Sequence, residues 1–106
     1  MTTLLINGDW REGHGPAFHS TDPASDATIW TGAAATAPDC AAAVAAARGA
    51  LPAWRAAPLA ERIALVQKFA ALLEEDREAF ATLISRETGK LLWETRAEIG
   101  SMIGKV

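Results

Sequence analysis

From Thr36 onward the apolar residues recur every three or four positions, and that period restricts this stretch of the chain to helices. Cys40, Val44, Ala47 and Leu51 keep helical spacing in a first run. Leu59, Ile63, Val66, Phe69, Leu72 and Leu73 form a second stripe, with Glu61, Arg62, Lys68 and Glu75 assigned to the other side. Phe80, Leu83 and Ile84 mark a third helix, and Leu92, Ile99, Met102, Ile103 and Val106 a fourth.

Punctuation residues set the boundaries. Thr36 can cap the first helix, with Pro38 tolerated in its opening turn. Pro52 and Pro58 bracket an expected linker that contains Trp54. The second helix opens near Pro58 or Leu59 without a capping side chain, which forgoes about 1 kcal/mol relative to Ser or Asp. Asp76 is placed to cap the third helix, and Gly89 to close it in the left-handed conformation. The fourth begins near Leu91, carries Glu94 and Glu98 as an i, i+4 pair, and keeps its stripe to Val106. This pattern predicts a helix running to the last residue, as in a chain interrupted inside an element.

Residues 1–35 have a different texture. Leu4-Leu5-Ile6, Asn7-Gly8 and Asp9-Trp10-Arg11 read as a short hairpin, because Asn-Gly supplies the two positive-φ positions of a type I′ turn. Thr28-Ile29-Trp30-Thr31 reads as a further strand bounded by Asp26 and Gly32, and Glu12 to Ser20 as a loop. The expected fold class is therefore α/β and mostly helical: a hairpin and strand region over 1–35, then a helical region over 36–106.

Charge excludes some functions. Ten Lys and Arg stand against 13 Asp and Glu, giving a net charge of −3. An acidic chain without a basic run lacks the means to replace phosphate counterions, which argues against a nucleic-acid partner. No apolar run approaches the ~20 residues that span a membrane, and the N-terminus has no basic n-region, so the expectation is a soluble cytoplasmic protein. Of the apolar residues, 24 are Ala, and a helix face made mostly of Ala needs a close neighbour.

Few residues suggest chemistry. Cys40 is the only cysteine, with no histidine beside it, and is read as a small buried hydrophobe rather than a nucleophile. His14 and His19 lie five apart in a glycine-rich stretch and are read as solvated loop histidines, since a metal would need further ligands. Trp10, Trp30, Trp54 and Trp93 are assigned to core and interface packing. In Glu87-Thr88-Gly89-Lys90, glycine ends a helix and lysine faces the carbonyl end of its dipole. Neither GxGxxG nor GxxxxGK[ST] occurs, so the sequence shows no phosphate loop.

In order and spacing, these features resemble the N-terminal region of the NAD(P)-dependent aldehyde dehydrogenase superfamily. The matching pieces are Ile6-Asn7-Gly8-Asp9-Trp10, Asp22-Pro23, the Ala-rich helix ending Ala46-Ala47-Arg48-Gly49-Ala50-Leu51-Pro52-Ala53-Trp54, Pro58-Leu59-Ala60-Glu61-Arg62, and Glu87-Thr88-Gly89-Lys90. Trp93-Glu94 after Gly89-Lys90, and Met102-Ile103 followed by Lys105, resemble the subgroup that oxidises an N-succinylated glutamate semialdehyde in arginine catabolism. Ser25-Asp26-Ala27 departs from the family's Thr-Gly-Glu, and Leu91 stands where the family often has Pro.

The resemblance implies that 1–106 is an incomplete N-terminal segment flanking a Rossmann-like cofactor domain. It implies an enzyme in which a cysteine thiolate attacks an aldehyde, hydride passes to NAD or NADP, and a glutamate-activated water hydrolyses the thioester. Those groups lie beyond Val106 in the family, and Cys40 does not match the catalytic motif. No catalytic, cofactor-binding or metal residue is therefore assigned here. The implied partners are the remainder of the same enzyme, a further copy in a homo-oligomer, and a small aldehyde. Some family members also hold a monovalent cation at positions matching Ser20, Thr21 and Glu98, although a solvated helix face is the preferred reading of Glu98. The competing view is a non-catalytic helical scaffold or interaction module, or a truncated gene product.

Overall fold

The computed structural model describes residues 3–106, which form four strands and four helices. They group into two compact units. One takes the chain up to Ser20 and Trp30–Ala57, the other Thr21–Ile29 and Pro58–Val106.

In the first unit, strands β1 (Leu4–Ile6) and β2 (Asp9–Arg11) are antiparallel, with Leu4 opposite Arg11, Leu5 opposite Trp10 and Ile6 opposite Asp9. Asn7 and Gly8 have φ of 56° and 83°, the tight turn that their sequence announces. Ile6 is buried, and β1 packs against helix α1 (Ala37–Ala56).

The stretch read as a loop over Glu12–Ser20 is in part a strand. Strand β3 (Ala17–Thr21) pairs with β4 (Thr28–Ala33). Gly15 N–H donates to Ala34 O at 2.8 Å and Ala34 N–H to Pro16 O at 2.9 Å, while Asp22 N–H meets Ala27 O at 2.9 Å. Gly13, Gly15 and Pro16 hide this strand from a reading of local pattern. Its stabilisation is non-local, through the ladder and an edge-to-face contact of Phe18 with Trp30 at 5.0 Å. For the same reason β4 runs past Thr31 and through Gly32.

Helix α1 starts at the expected cap and runs further than expected. Thr36 is extended, at φ −96° and ψ 171°, and its Oγ1 accepts from Asp39 N–H. The helix continues through Pro52 to Ala56, so the linker around Trp54 is helical. An interior proline costs about 3 kcal/mol through one lost hydrogen bond and a ring clash. The Ala-rich stretch from Ala41 to Ala47 earlier in the helix supplies the strongest intrinsic helix preference available to offset it.

In the second unit, α2 (Leu59–Glu75) follows Pro58 with no side-chain cap, as expected. Only Asp76 separates it from α3 (Arg77–Thr88). Asp76 holds the expected position but does not cap with its side chain. At φ −95° and ψ 12° it is in the bridge region, not the extended geometry a capping carboxylate requires. Gly89 closes α3 at φ 74°, its N–H bonded to Ser85 O at 2.8 Å.

Helix α4 (Leu92–Ile103) packs on α3 and α2, burying Ile99 and Thr95 with Leu73 and Ala81. The buried Thr95 hydroxyl is satisfied by Leu92 O at 3.0 Å. The helix does not continue to Val106. It ends at Ile103, with Gly104 as its cap and tighter bonds from Lys105 to Met102 O and from Val106 to Ile103 O. A stripe counted by spacing alone does not register that Gly104 interrupts it.

Candidate functional site

Two clusters hold the residues singled out above, one in each unit.

In the first unit Asp39 is the centre. It is the third residue of α1, and only 6% of it is exposed. Its Oδ2 accepts from Thr36 N–H and Thr36 Oγ1, each at 2.8 Å, and from His14 N–H at 3.2 Å. Its Oδ1 lies 2.6 Å from His14 Nδ1. Gly13, next to His14, permits the approach, because a Cβ there would fall 2.3 Å from Ala34 O. The bonds from Thr36, followed by those from His14, hold the Asp39 carboxyl far below the ordinary carboxylate range.

His14 is thus bonded to Asp39, while its ring stays 75% exposed in the loop before β3, in keeping with its reading as a solvated loop histidine. His19 is exposed on β3. Asp39 was missed as a candidate, although Thr36-x-x-Asp39 has the spacing of a capping box. Cys40 follows it and is exposed, not buried. It borders an open cavity of about 270 Å³ with Leu4, Ile6, Ala35, Asp39 and Ala43. The helix turns Cys40 outward because Asp39 takes the inward position. Among the described residues, no three of His, Cys, Asp and Glu gather to hold a metal ion.

The second cluster joins motifs far apart in sequence. Gly89 lies against Pro23, such that a Cβ on Gly89 would be 3.1 Å from Pro23 Cγ. Asp22 forms the turn beneath, with Ala24 N–H on its Oδ1 at 2.9 Å and Asp26 N–H on its carbonyl at 2.8 Å. Asp26, at φ 57°, replaces the glycine that the family pattern would place there. Ser85 Oγ donates to Lys90 O at 2.7 Å, and Thr88 Oγ1 receives Lys90 N–H at 3.3 Å.

The Lys90 ammonium pairs with the Glu98 carboxylate instead of facing the end of α3. Glu98 therefore carries an ion pair on a helix face that still meets solvent, and its bond holds the Lys90 ammonium above its ordinary pKa. Glu94 accepts from Leu91 N–H at 3.1 Å and takes over the first turn of α4. Arg96 Nε and Nη2 grip Glu78 at 2.9–3.1 Å, and Arg77 grips Glu74 at 2.6–2.9 Å while donating to Arg96 O at 3.2 Å.

These bonds bear on a dinucleotide. Pyrophosphate is normally held by free N–H groups at a helix N-terminus. Here α1 opens on Asp39, α2 follows Pro58 with Glu61 in its first turn, α3 opens on Asp76 and Glu78, and α4 opens on Glu94. Each start presents negative charge, so the described residues do not fit that group.

The tryptophans are not core residues of this chain. Trp10 and Trp93 are about two-thirds exposed and Trp54 is also exposed, while Trp30 is half-buried against Phe18. No helix among the described residues is long and apolar enough to cross a membrane.

With the hairpin, the Gly89–Pro23 contact and the four helices in place, the chain belongs to the aldehyde dehydrogenase family, whose model matches residues 10–106. Within that family it is similar to N-succinylglutamate 5-semialdehyde dehydrogenase of Burkholderia mallei, at 54% identity over the whole chain and 22% of the relative. A second enzyme of that name, from Caulobacter vibrioides, is 52% identical over 97% of this chain and 21% of its own. Among solved structures, an NAD-dependent benzaldehyde dehydrogenase from Corynebacterium glutamicum superposes with a TM-score of 0.90 at 34% identity, covering 94% of this chain and 22% of that one. NADP-dependent glyceraldehyde-3-phosphate dehydrogenase from Bacillus halodurans, complexed with NADP, gives 0.91 at 28% identity, covering 97% and 22%. The chain thus spans about a fifth of the length of these relatives.

Proposed function

We propose that these residues are the N-terminal fifth of a cytoplasmic NAD(P)-dependent aldehyde dehydrogenase that oxidises N-succinylglutamate 5-semialdehyde to the carboxylate. The observation that carries this is the 54% identity, sustained over the full 106 residues, to an enzyme named for that substrate. In this reading the nucleophile, the base and the cofactor site belong to later sequence. The present residues supply scaffold: the Gly89–Pro23 contact and the Arg96–Glu78, Lys90–Glu98 and Arg77–Glu74 ion pairs fix the second unit, and Asp39 fixes the first.

The test is a graft. The 106 residues replace the matching segment of the Burkholderia relative, and NAD(P)H formation is followed with N-succinylglutamate 5-semialdehyde and with benzaldehyde. The expected result is turnover that favours the succinylated substrate, with none above a protein-free blank from the 106-residue chain alone. A folded graft that prefers benzaldehyde overturns the substrate. Turnover by the short chain alone overturns the placement of the chemistry.

A further inference from the structure

Asn7 is the sole asparagine of the chain, and a glycine follows it. Both residues are exposed at the tip of the β1–β2 hairpin. Among the described residues, neither the Asn7 carboxamide nor the Gly8 N–H has a hydrogen-bond partner. A Cβ on Gly8 would meet nothing within 4 Å, so nothing crowds the Gly8 nitrogen. An open cavity of about 280 Å³ between this turn and α1, bordered by Ile6, Asn7, Ala43 and Ala47, gives the carboxamide room to rotate. Arg11 Nη2 lies 3.4 Å from Ile6 O and brings positive charge to the turn.

This arrangement suits an intramolecular reaction. The Gly8 nitrogen gives up its proton and attacks Asn7 Cγ. The new N–Cγ bond closes a five-membered imide as the Cγ–NH2 bond breaks, and ammonia leaves with the proton. The Arg11 guanidinium favours the negative charge that develops during the attack. Water then opens the imide. Cleavage of the N–Cγ bond gives aspartate, and cleavage between that nitrogen and the main-chain carbonyl carbon gives isoaspartate. In isoaspartate the main chain runs through Cγ and is one methylene longer. Ring closure requires Asn7 to leave the turn geometry briefly, and a hairpin of two three-residue strands opens at little cost.

The consequence lies in the register. A two-residue turn sets Leu5 opposite Trp10 and Ile6 opposite Asp9, and a longer turn cannot keep both pairs. Ile6 adjoins the turn and is the buried residue of the strand that packs on α1. We propose that Asn7–Gly8 is a self-modification site, at which the folded chain converts Asn7 to isoaspartate and the lengthened turn releases β1 from α1.

The test holds the 106-residue chain in neutral buffer at physiological temperature, native and in urea, and samples it over time. Peptide mass spectrometry follows the exchange of NH2 for OH at position 7, and electron-transfer fragmentation separates isoaspartate from aspartate. A native rate within roughly tenfold of the rate in urea is expected. Isoaspartate should be the larger product, and Gln67, the other side-chain amide, should stay intact within α2. The isoaspartyl form, purified by anion exchange, is compared with Asn7→Asp, which carries the same charge on an ordinary main chain. It should melt several degrees lower than that variant. Asn7→Gly accepts the positive φ and lacks the carboxamide, so the same incubation should leave its Tm in place.

Conversion confined to urea overturns the site. Equal Tm values for the isoaspartyl form and Asn7→Asp overturn the release of β1. If circular dichroism finds the short chain unfolded, the same measurements are made on the graft, where an Asn7 that stays intact is equally decisive. Turnover takes no part in these readouts, so the proposal stands or falls apart from the functional reading.

Discussion

Nδ1 of His14 lies 2.6 Å from Oδ1 of Asp39, and the same carboxylate caps α1 through Thr36. One buried acid thus secures both a glycine-flanked turn and a helix start. Its carboxyl is held low by bonds made only in the folded state. The folded chain therefore binds fewer protons at this site than the unfolded chain, and the stabilisation is complete above the unfolded value of about 3.9 and fades as pH falls below it. Asp39→Asn should lower Tm at pH 7 and flatten the loss of stability below about pH 4. Thermal melts by circular dichroism across that range check it; parallel profiles for the two proteins would contradict it.

Thr36→Ala removes the other half of this cap. Stability should fall by about 1 kcal/mol, and Tm by about 4–8 °C. Thr36→Ser should recover most of the loss, and urea denaturation measures both.

Gly89 combines a left-handed backbone with contact against Pro23. Gly89→Ala should cost about 1–2 kcal/mol from the backbone alone. Gly89→Asn should cost less, because Asn tolerates this region better. A urea midpoint unchanged by Gly89→Ala would show that the α3–α4 connection can relax.

Cys40 is exposed beside an open cavity. A thiol reagent should label it fully in the native chain, at a rate near that of the urea-unfolded chain. Cys40→Ser should alter stability by no more than about 0.5 kcal/mol. Labelling that requires unfolding would return Cys40 to the interior.

Leu59, Ile63, Phe69, Leu91 and Trp93 are all exposed in the 106-residue chain. Burying one such side chain is worth about 1.5–3 kcal/mol, so the chain should self-associate as concentration rises. Leu91→Asp with Trp93→Asp should reduce this in light scattering. Strict monomers of the unsubstituted chain at high micromolar concentration would count against it.

Features of the chain governed by neighbours along the sequence were legible in that sequence. Asn7-Gly8 determined the hairpin turn, Thr36 the start of α1, and Gly89 the end of α3, because each depends on backbone angles that few residues accept. The helical period from residue 36 determined the helices, and the ordered motifs determined the family. Contacts between distant residues were decided only by tertiary structure. Strand β3 exists because β4 and Trp30 lie beside it, and Lys90 turns to Glu98 because α4 folds back across the end of α3. Asp39 turns inward because His14 arrives from a distant loop, which leaves Cys40 outside. Periodicity marks a face as apolar, but whether that face is covered depends on what packs against it: Leu73 and Ile99 are buried, while Leu59 and Phe69 on the same kind of stripe remain open.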